Sequence, residues 1–155
     1  MNLQEAYRIA IEAEIRSQNL YKALAKSFKT IESASIFNQL LMYEINHEEK
    51  MRAYFIELFP NTPLQLMDDL SMELKGLNLS DPKNILEFAI SREELAQNIY
   101  LKIAEQTPAG EVKDTLLSFA NEELHHKEIL FKELERMHGI VDWYDPSELN
   151  GLMED

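Results

Sequence analysis

Apolar residues recur at alternating steps of three and four in four separate stretches of this chain. Such steps fall on one face of an α-helix, where 3.6 residues make a turn. The first stretch reads Leu3, Tyr7, Ala10, Glu14, Ser17, Tyr21, Leu24 and Phe28, and the second Phe37, Leu40, Glu44, His47, Met51, Tyr54 and Leu58. The third gives Leu86, Ala89, Glu93, Ala96, Tyr100 and Ile103, and the fourth Leu116, Phe119, Glu123, His126 and Leu130. A stripe of this kind is the seam of a bundle whose helices cross at a shallow angle, so the pattern predicts an all-α four-helix bundle. Each stripe is interrupted by a carboxylate.

Capping chemistry sets the expected boundaries. Asn2 with Glu5 reads as a capping box, Asp81 before Pro82 as an N-cap with proline at the first helical position, and Thr107-Pro108 as the same device again. Gly139, after Met137 and His138, reads as a C-terminal stop. The helices are therefore expected near 3–29, 31–58, 82–106 and 109–138. Residues 60–80 form a long connection with room for a short helix. The tail 139–155, with Trp143 and Tyr144, is expected to fold back onto the bundle. A chain of 155 residues fits a single domain over 1–155 and buries roughly 70% of its unfolded surface, enough for an apolar core without staples.

The second half repeats the first at an offset of 79 residues: Glu14 maps onto Glu93, Tyr21 onto Tyr100, Ala25 onto Ala104, Glu44 onto Glu123 and His47 onto His126. This predicts one helical hairpin used twice, over about 3–58 and 82–138, with 60–80 as the crossover. Within each hairpin the two glutamates lie 30 residues apart, and the midpoints Lys29 and Pro108 fall at the expected turns. A helix rises about 1.5 Å per residue, so an equal walk down one helix and up the next returns to the same height. Glu14, Glu44, His47, Glu93, Glu123 and His126 should meet in one layer.

Burying a charge costs several kcal/mol even after relaxation, so four carboxylates facing a core need compensating cations. No Lys or Arg occupies the seams. Two divalent ions would balance the charge, and oxygen with imidazole ligation suits iron or manganese, with zinc as a frequent substitute. One Glu from each of two helices plus Glu-x-x-His from each of the others is the di-iron carboxylate arrangement. Glu-x-x-His alone is weak, since all four histidines here have Glu three residues earlier. Glu135/His138 sits about three turns away without matching carboxylates. Glu122/His125 is one residue out of phase with the seam, leaving His125 either beside the site or exposed. Glu12, Glu48, Glu49 and Glu94 are expected to face water. Tyr21 and Tyr100 are either core residues or hydrogen-bond donors to metal-bound carboxylates.

Composition narrows the remaining classes. A net charge of −13 disfavours nucleic acid and anionic membranes as partners. The absence of cysteine excludes disulfides, thiolate zinc sites, iron–sulfur clusters and cysteine nucleophiles. Neither a signal peptide nor an apolar run of about 20 residues is visible, which places the expected location in the cytoplasm. A bundle of this size is expected to form a homo-oligomer, a dimer first.

The segments EIRSQNLYKALA, LLMYEINHEEKM, EELAQNIYLKIA and FANEELHHKEIL, with their spacing, resemble the rubrerythrin-type branch of the ferritin-like superfamily. The resemblance implies a di-iron oxidoreductase that reduces hydrogen peroxide or dioxygen while bound ferrous iron is oxidised. It implies that Glu44 and Glu123 bridge two iron ions, that Glu14 and Glu93 cap them, that His47 and His126 bind one each, and that Tyr21 and Tyr100 quench stray oxidants. Two departures stand out. Ala96 replaces the additional glutamate that rubrerythrins carry one turn after the third ligand, and no cysteines exist to build a rubredoxin domain, so electrons would come from a separate donor protein. The competing reading is an iron-storage or metal-buffering protein without turnover; a third makes the metal purely structural.

Overall fold

The computed structural model describes residues 2–28, 30–71, 76–77 and 81–143, the last six as backbone only. Among these residues the chain is all-α, with helices α1 (Leu3–Ser27), α2 (Ile31–Leu58), α3 (Pro82–Glu105) and α4 (Glu111–Trp143) and no strand. No helix among the described residues is long and apolar enough to cross a membrane.

The helices begin where short polar side chains satisfy the first free N–H groups. Asn2 Oδ1 accepts from Glu5 N at 2.8 Å, and Asp81 Oδ1 accepts from Asn84 N at 3.4 Å with Pro82 in the first turn. Thr30, which the sequence reading did not single out, caps α2 by accepting from Ser33 N at 3.2 Å. Two boundaries differ from expectation. The Thr107 hydroxyl turns back to donate to Ile103 O at 2.6 Å, so it closes α3 and leaves Gly110, at φ 152°, to lead into α4 at Glu111. That positive φ is a region glycine tolerates and other residues rarely adopt. Gly139 does not stop α4, which runs on to Trp143; one helical glycine costs only about 1 kcal/mol relative to alanine. Among the described residues of the 59–81 connection none is helical, while 72–75 and 78–80 lie outside them. The expected fold-back of the tail also falls outside them from Tyr144 onward, and residues 139–143 continue the helix.

Helix α1 packs along α2, α3 along α4, and α1 against α3, while α2 and α4 form the sparsest of these contacts. The seams of α1, α3 and α4 point inward nearly as the stripes require. In α2 the stripe shifts at its end: Phe55 takes the interior, whereas Leu58 is 47% exposed. The apolar core is split in two. One cluster holds Tyr7, Ile11, Met51, Phe55, Ile103 and Leu116, and the other holds Leu20, Leu24, Phe37, Leu86 and Leu130. Between them lies a polar layer at the height of Glu14, Glu44, Glu93 and Glu123.

Candidate metal centre

All six side chains that the repeat selects lie in this layer, each at most 2% exposed. They fall into two overlapping groups, Glu14–Glu44–His47–Glu123 and Glu44–Glu93–Glu123–His126, within each of which the candidate ligand atoms lie within 4.8 Å of one another. Glu44 and Glu123 belong to both groups, and Glu14 and Glu93 to one each. Both histidines present Nδ1 to the cluster. His47 Nδ1 is 2.7 Å from Glu123 Oε1 and 3.6 Å from Glu14 Oε2, and His126 Nδ1 is 3.2 Å from Glu44 Oε1 and 3.6 Å from Glu93 Oε2.

The tyrosines hold the outer carboxylates in place. Tyr21, on α1, donates its hydroxyl to Glu93 Oε1 on α3, and Tyr100, on α3, donates to Glu14 Oε1 on α1, the two bonds crossing between the helices. Burial first, then the surrounding carboxylate charges, pushes both phenols well above their ordinary value, so both stay protonated donors.

Electrostatics show why this arrangement calls for cations. Burial, followed by the charges of Glu123, Glu14 and Glu93, drives the Glu44 carboxyl well above 4.5. Burial and the charges of Glu93 and Glu14 do the same to Glu123. Burial also opposes charging of Glu93, but the close Glu123 and His126 side chains, the His126 charge and the Tyr21 hydrogen bond outweigh it and lower that carboxyl. Burial likewise disfavours protonated His47, yet the hydrogen bond to Glu122 and the nearby carboxylates of Glu123 and Glu14 prevail and push it up to about 12.

The donor set fits metal ions. Glu14 Oε2, both oxygens of Glu44, His47 Nδ1, Glu93 Oε2, both oxygens of Glu123 and His126 Nδ1 are buried and make no hydrogen bond. The close approach of His47 Nδ1 to Glu123 Oε1 is not a hydrogen bond, because the oxygen lies off the direction of the ring N–H. Leaving one such group unsatisfied costs about 1–3 kcal/mol, and here they converge on one volume. Carboxylate oxygens with imidazole nitrogens, two of the carboxylates shared, can hold two divalent ions.

One partner of the site escaped the sequence reading. Glu122 appeared there only as an out-of-phase competitor, but its Oε2 lies 2.5 Å from His47 Nε2, the nitrogen turned away from the cluster. A carboxylate there fixes which ring nitrogen carries the proton and leaves Nδ1 directed at the clustered carboxylates as a candidate ligand atom. His125, its companion in that motif, is 70% exposed. Position −1 to a ligand glutamate was the available signal; helical phase alone argued against it. Residues predicted to face water also differ. Glu12 is 3% exposed, because the crossover passes over α1 and Met67 N donates to Glu12 Oε2 at 2.9 Å, while Arg8 donates to Oε1 at 2.9 Å. Glu48 is partly buried and accepts from Gln18 Nε2 at 2.7 Å and Arg52 Nε at 2.6 Å. Glu49 and Glu94 do face solvent. A cavity of about 600 Å³ between α1 and the crossover touches none of the six clustered side chains.

Comparison with known proteins agrees with this fold. A solved structure from Pyrococcus furiosus, described only as a hypothetical protein, is 26% identical and superposes with a TM-score of 0.76, covering 87% of this chain and 89% of the other. A search of curated proteins finds no match. Residues 84–150, which contain Glu93, Tyr100, Glu122, Glu123 and His126, match the Rubrerythrin family model. The resemblance read from the sequence is thereby borne out over that stretch: the chain carries a rubrerythrin-type segment on a ferritin-like, four-helix fold.

Proposed function

We propose that this chain is a di-iron oxidoreductase of the rubrerythrin kind, reducing hydrogen peroxide or dioxygen with oxidation of bound ferrous iron. The observation that carries the reading is the convergence of unpartnered, buried oxygens and nitrogens from Glu14, Glu44, His47, Glu93, Glu123 and His126 on one volume. A purely structural layer would have been filled by apolar side chains or by paired charges at lower cost. Two ferrous ions held by these residues would supply two electrons together, enough with two protons to reduce hydrogen peroxide to two waters or dioxygen to hydrogen peroxide without releasing a one-electron radical.

Glu44 and Glu123, which belong to both groups, would be shared between two ions; Glu14 with His47, and Glu93 with His126, would complete one position each. Tyr100 and Tyr21 hold the Glu14 and Glu93 carboxylates by one oxygen, leaving the other free for the metal. Their retained protons place a donor on each outer carboxylate. The chain has no cysteine, so reducing equivalents come from a separate donor protein. Exposed Ile31, Met42 and Ile56 on α2 support association of two copies, which sedimentation would test.

The decisive experiment is anaerobic loading with ferrous iron, metal analysis, and optical titration with hydrogen peroxide at one equivalent per two irons. Two irons per chain, oxidised rapidly and lost in Glu44→Ala, support the proposal. Stable binding of two ions with no reaction towards peroxide or dioxygen would leave metal buffering, and loading far beyond two irons per chain would point to storage.

A further inference from the structure

The two histidines are related by the internal offset, but they are covered differently. Leu40 and Phe119 are equivalent positions, as are Tyr43 and Glu122. Over His47 lie Phe119, with ring centroids 4.1 Å apart, and Glu122, bonded to Nε2; Tyr100 closes a third side at 5.8 Å. Beside His126 stands Tyr43, its ring centroid 5.0 Å away and the residue 47% exposed, and the smaller Leu40 lines the same cavity.

Where the covering is thinner, the surface opens. A cavity of about 460 Å³ lies between α2 and α4, the most sparsely packed of the neighbouring helix pairs, and His126 forms part of its wall. Ile36, Leu40 and Ile129 give it aliphatic sides, and Gln39 and Asn121 give it neutral amides. Glu122 is the single carboxylate on its lining, and His47 already engages that group. His126 turns Nδ1 to the clustered carboxylates, so its ring spans from this cavity to the metal layer.

We propose that small, neutral oxidants reach the metal centre through this α2–α4 cavity and arrive at the His126 half before the His47 half. The inference rests on the proposed di-iron reading. A cation would find little to hold it on the way in, since beside aliphatic groups and amides the lining offers only the Tyr43 phenol, the His125 imidazole and a carboxylate already bonded to His47. A neutral molecule the size of hydrogen peroxide or dioxygen passes aliphatic walls at little desolvation cost and exchanges hydrogen bonds with the amides. Tyr43 is the positioning residue of the port: its ring edge is the part of the cover that a side-chain rotation can lift.

The test separates the port from the reaction. Ile129 is half-buried on the cavity wall and is not a candidate ligand, so Ile129→Trp narrows the cavity and Ile129→Ala widens it. Nitric oxide is the probe, a small neutral molecule whose binding to the ferrous-loaded chain is followed by visible absorbance, whether or not peroxide turns over. The expected result is an association rate about ten-fold lower in I129W and higher in I129A, with two irons per chain and unchanged helical circular dichroism. Xenon-pressurised crystals of the metal-free chain give a second readout, a xenon site in this cavity that I129W abolishes. Leu117→Trp, on the exposed surface of α4, controls for added bulk. Equal nitric oxide rates in wild type, I129W and I129A would overturn the port, as would failure of the loaded wild type to bind nitric oxide. A wild type that binds nitric oxide through the port yet ignores peroxide and dioxygen would sink the oxidoreductase reading and leave the port standing.

Discussion

The two halves of the candidate metal layer carry equivalent sets of side chains and differ in what surrounds them. In the His47 half, an outer carboxylate, Glu122, holds the imidazole and Phe119 seals it; in the His126 half, Tyr43 and Leu40 stand at the equivalent positions beside an open cavity. The tyrosine bonds to Glu14 and Glu93 are equivalent in both halves. The two halves match at the residues that would meet a metal and diverge in the backing of those residues. One half is built to hold an imidazole firmly and the other to be reached.

The comparison breaks most severely at the shared carboxylates. Glu44→Ala or Glu123→Ala should abolish binding at both metal positions, whereas Glu14→Ala or Glu93→Ala should spare one ion per chain, as metal analysis after gel filtration would show. If all four variants behaved alike, the division into shared and private ligands would be wrong. Removing one of the buried charges should also stabilise the metal-free chain: Glu123→Gln is expected to raise its unfolding free energy by about 1–3 kcal/mol in denaturant titrations.

Next in size is the difference in backing. Glu122→Gln should weaken metal affinity about 10–100-fold at one of the two positions, and Tyr43→Phe, which keeps the ring, should change neither by more than a few-fold. Isothermal titration calorimetry resolving two binding events would check this, and equal effects at both positions would remove the asymmetry.

The pH dependence of stability should reverse on metal loading. Glu44 and Glu123 have folded-state values raised above 4.5, so above that pH the folded chain binds more protons than the unfolded one. Their contribution is full below 4.5 and is lost as pH rises. His47, raised from 6.5 to about 12, adds a loss of the same sign across that interval. Glu93 is lowered and acts in the opposite sense, only as pH falls below 4.5. The Tm of the metal-free chain should therefore fall between mildly acidic and mildly basic pH, while that of the loaded chain rises or stays level because its ligands bind metal deprotonated. Parallel calorimetric scans would decide.

The smallest difference between the two halves should come from the tyrosines. Tyr21→Phe and Tyr100→Phe each remove one bond to a buried carboxylate, worth roughly 1.5–3 kcal/mol, and should cost similar stability in chemical denaturation. A clear inequality would extend the asymmetry to a feature that the geometry makes equivalent.

Much of this centre was legible along the chain. The 3–4 stripes picked out Glu14, Glu44, His47, Glu93, Glu123 and His126, and the offset of 79 separated Glu123/His126 from its neighbour Glu122/His125. These inferences use rules that act within one helix, its period and its rise, and such rules hold before any helix meets another. Boundaries were legible where a side chain caps its own helix, as at Asn2 and Asp81, and misread where it turned to the preceding one, as at Thr107. Periodicity could not say that Glu122 reaches His47 across the bundle, that Glu12 is roofed by the crossover, or that Leu40 and Tyr43 leave an opening beside His126. Those contacts depend on how far α2 and α4 stand apart and how each is rotated about its axis. Only packing of the whole chain sets these quantities, because they follow from the volumes of side chains on all the helices together.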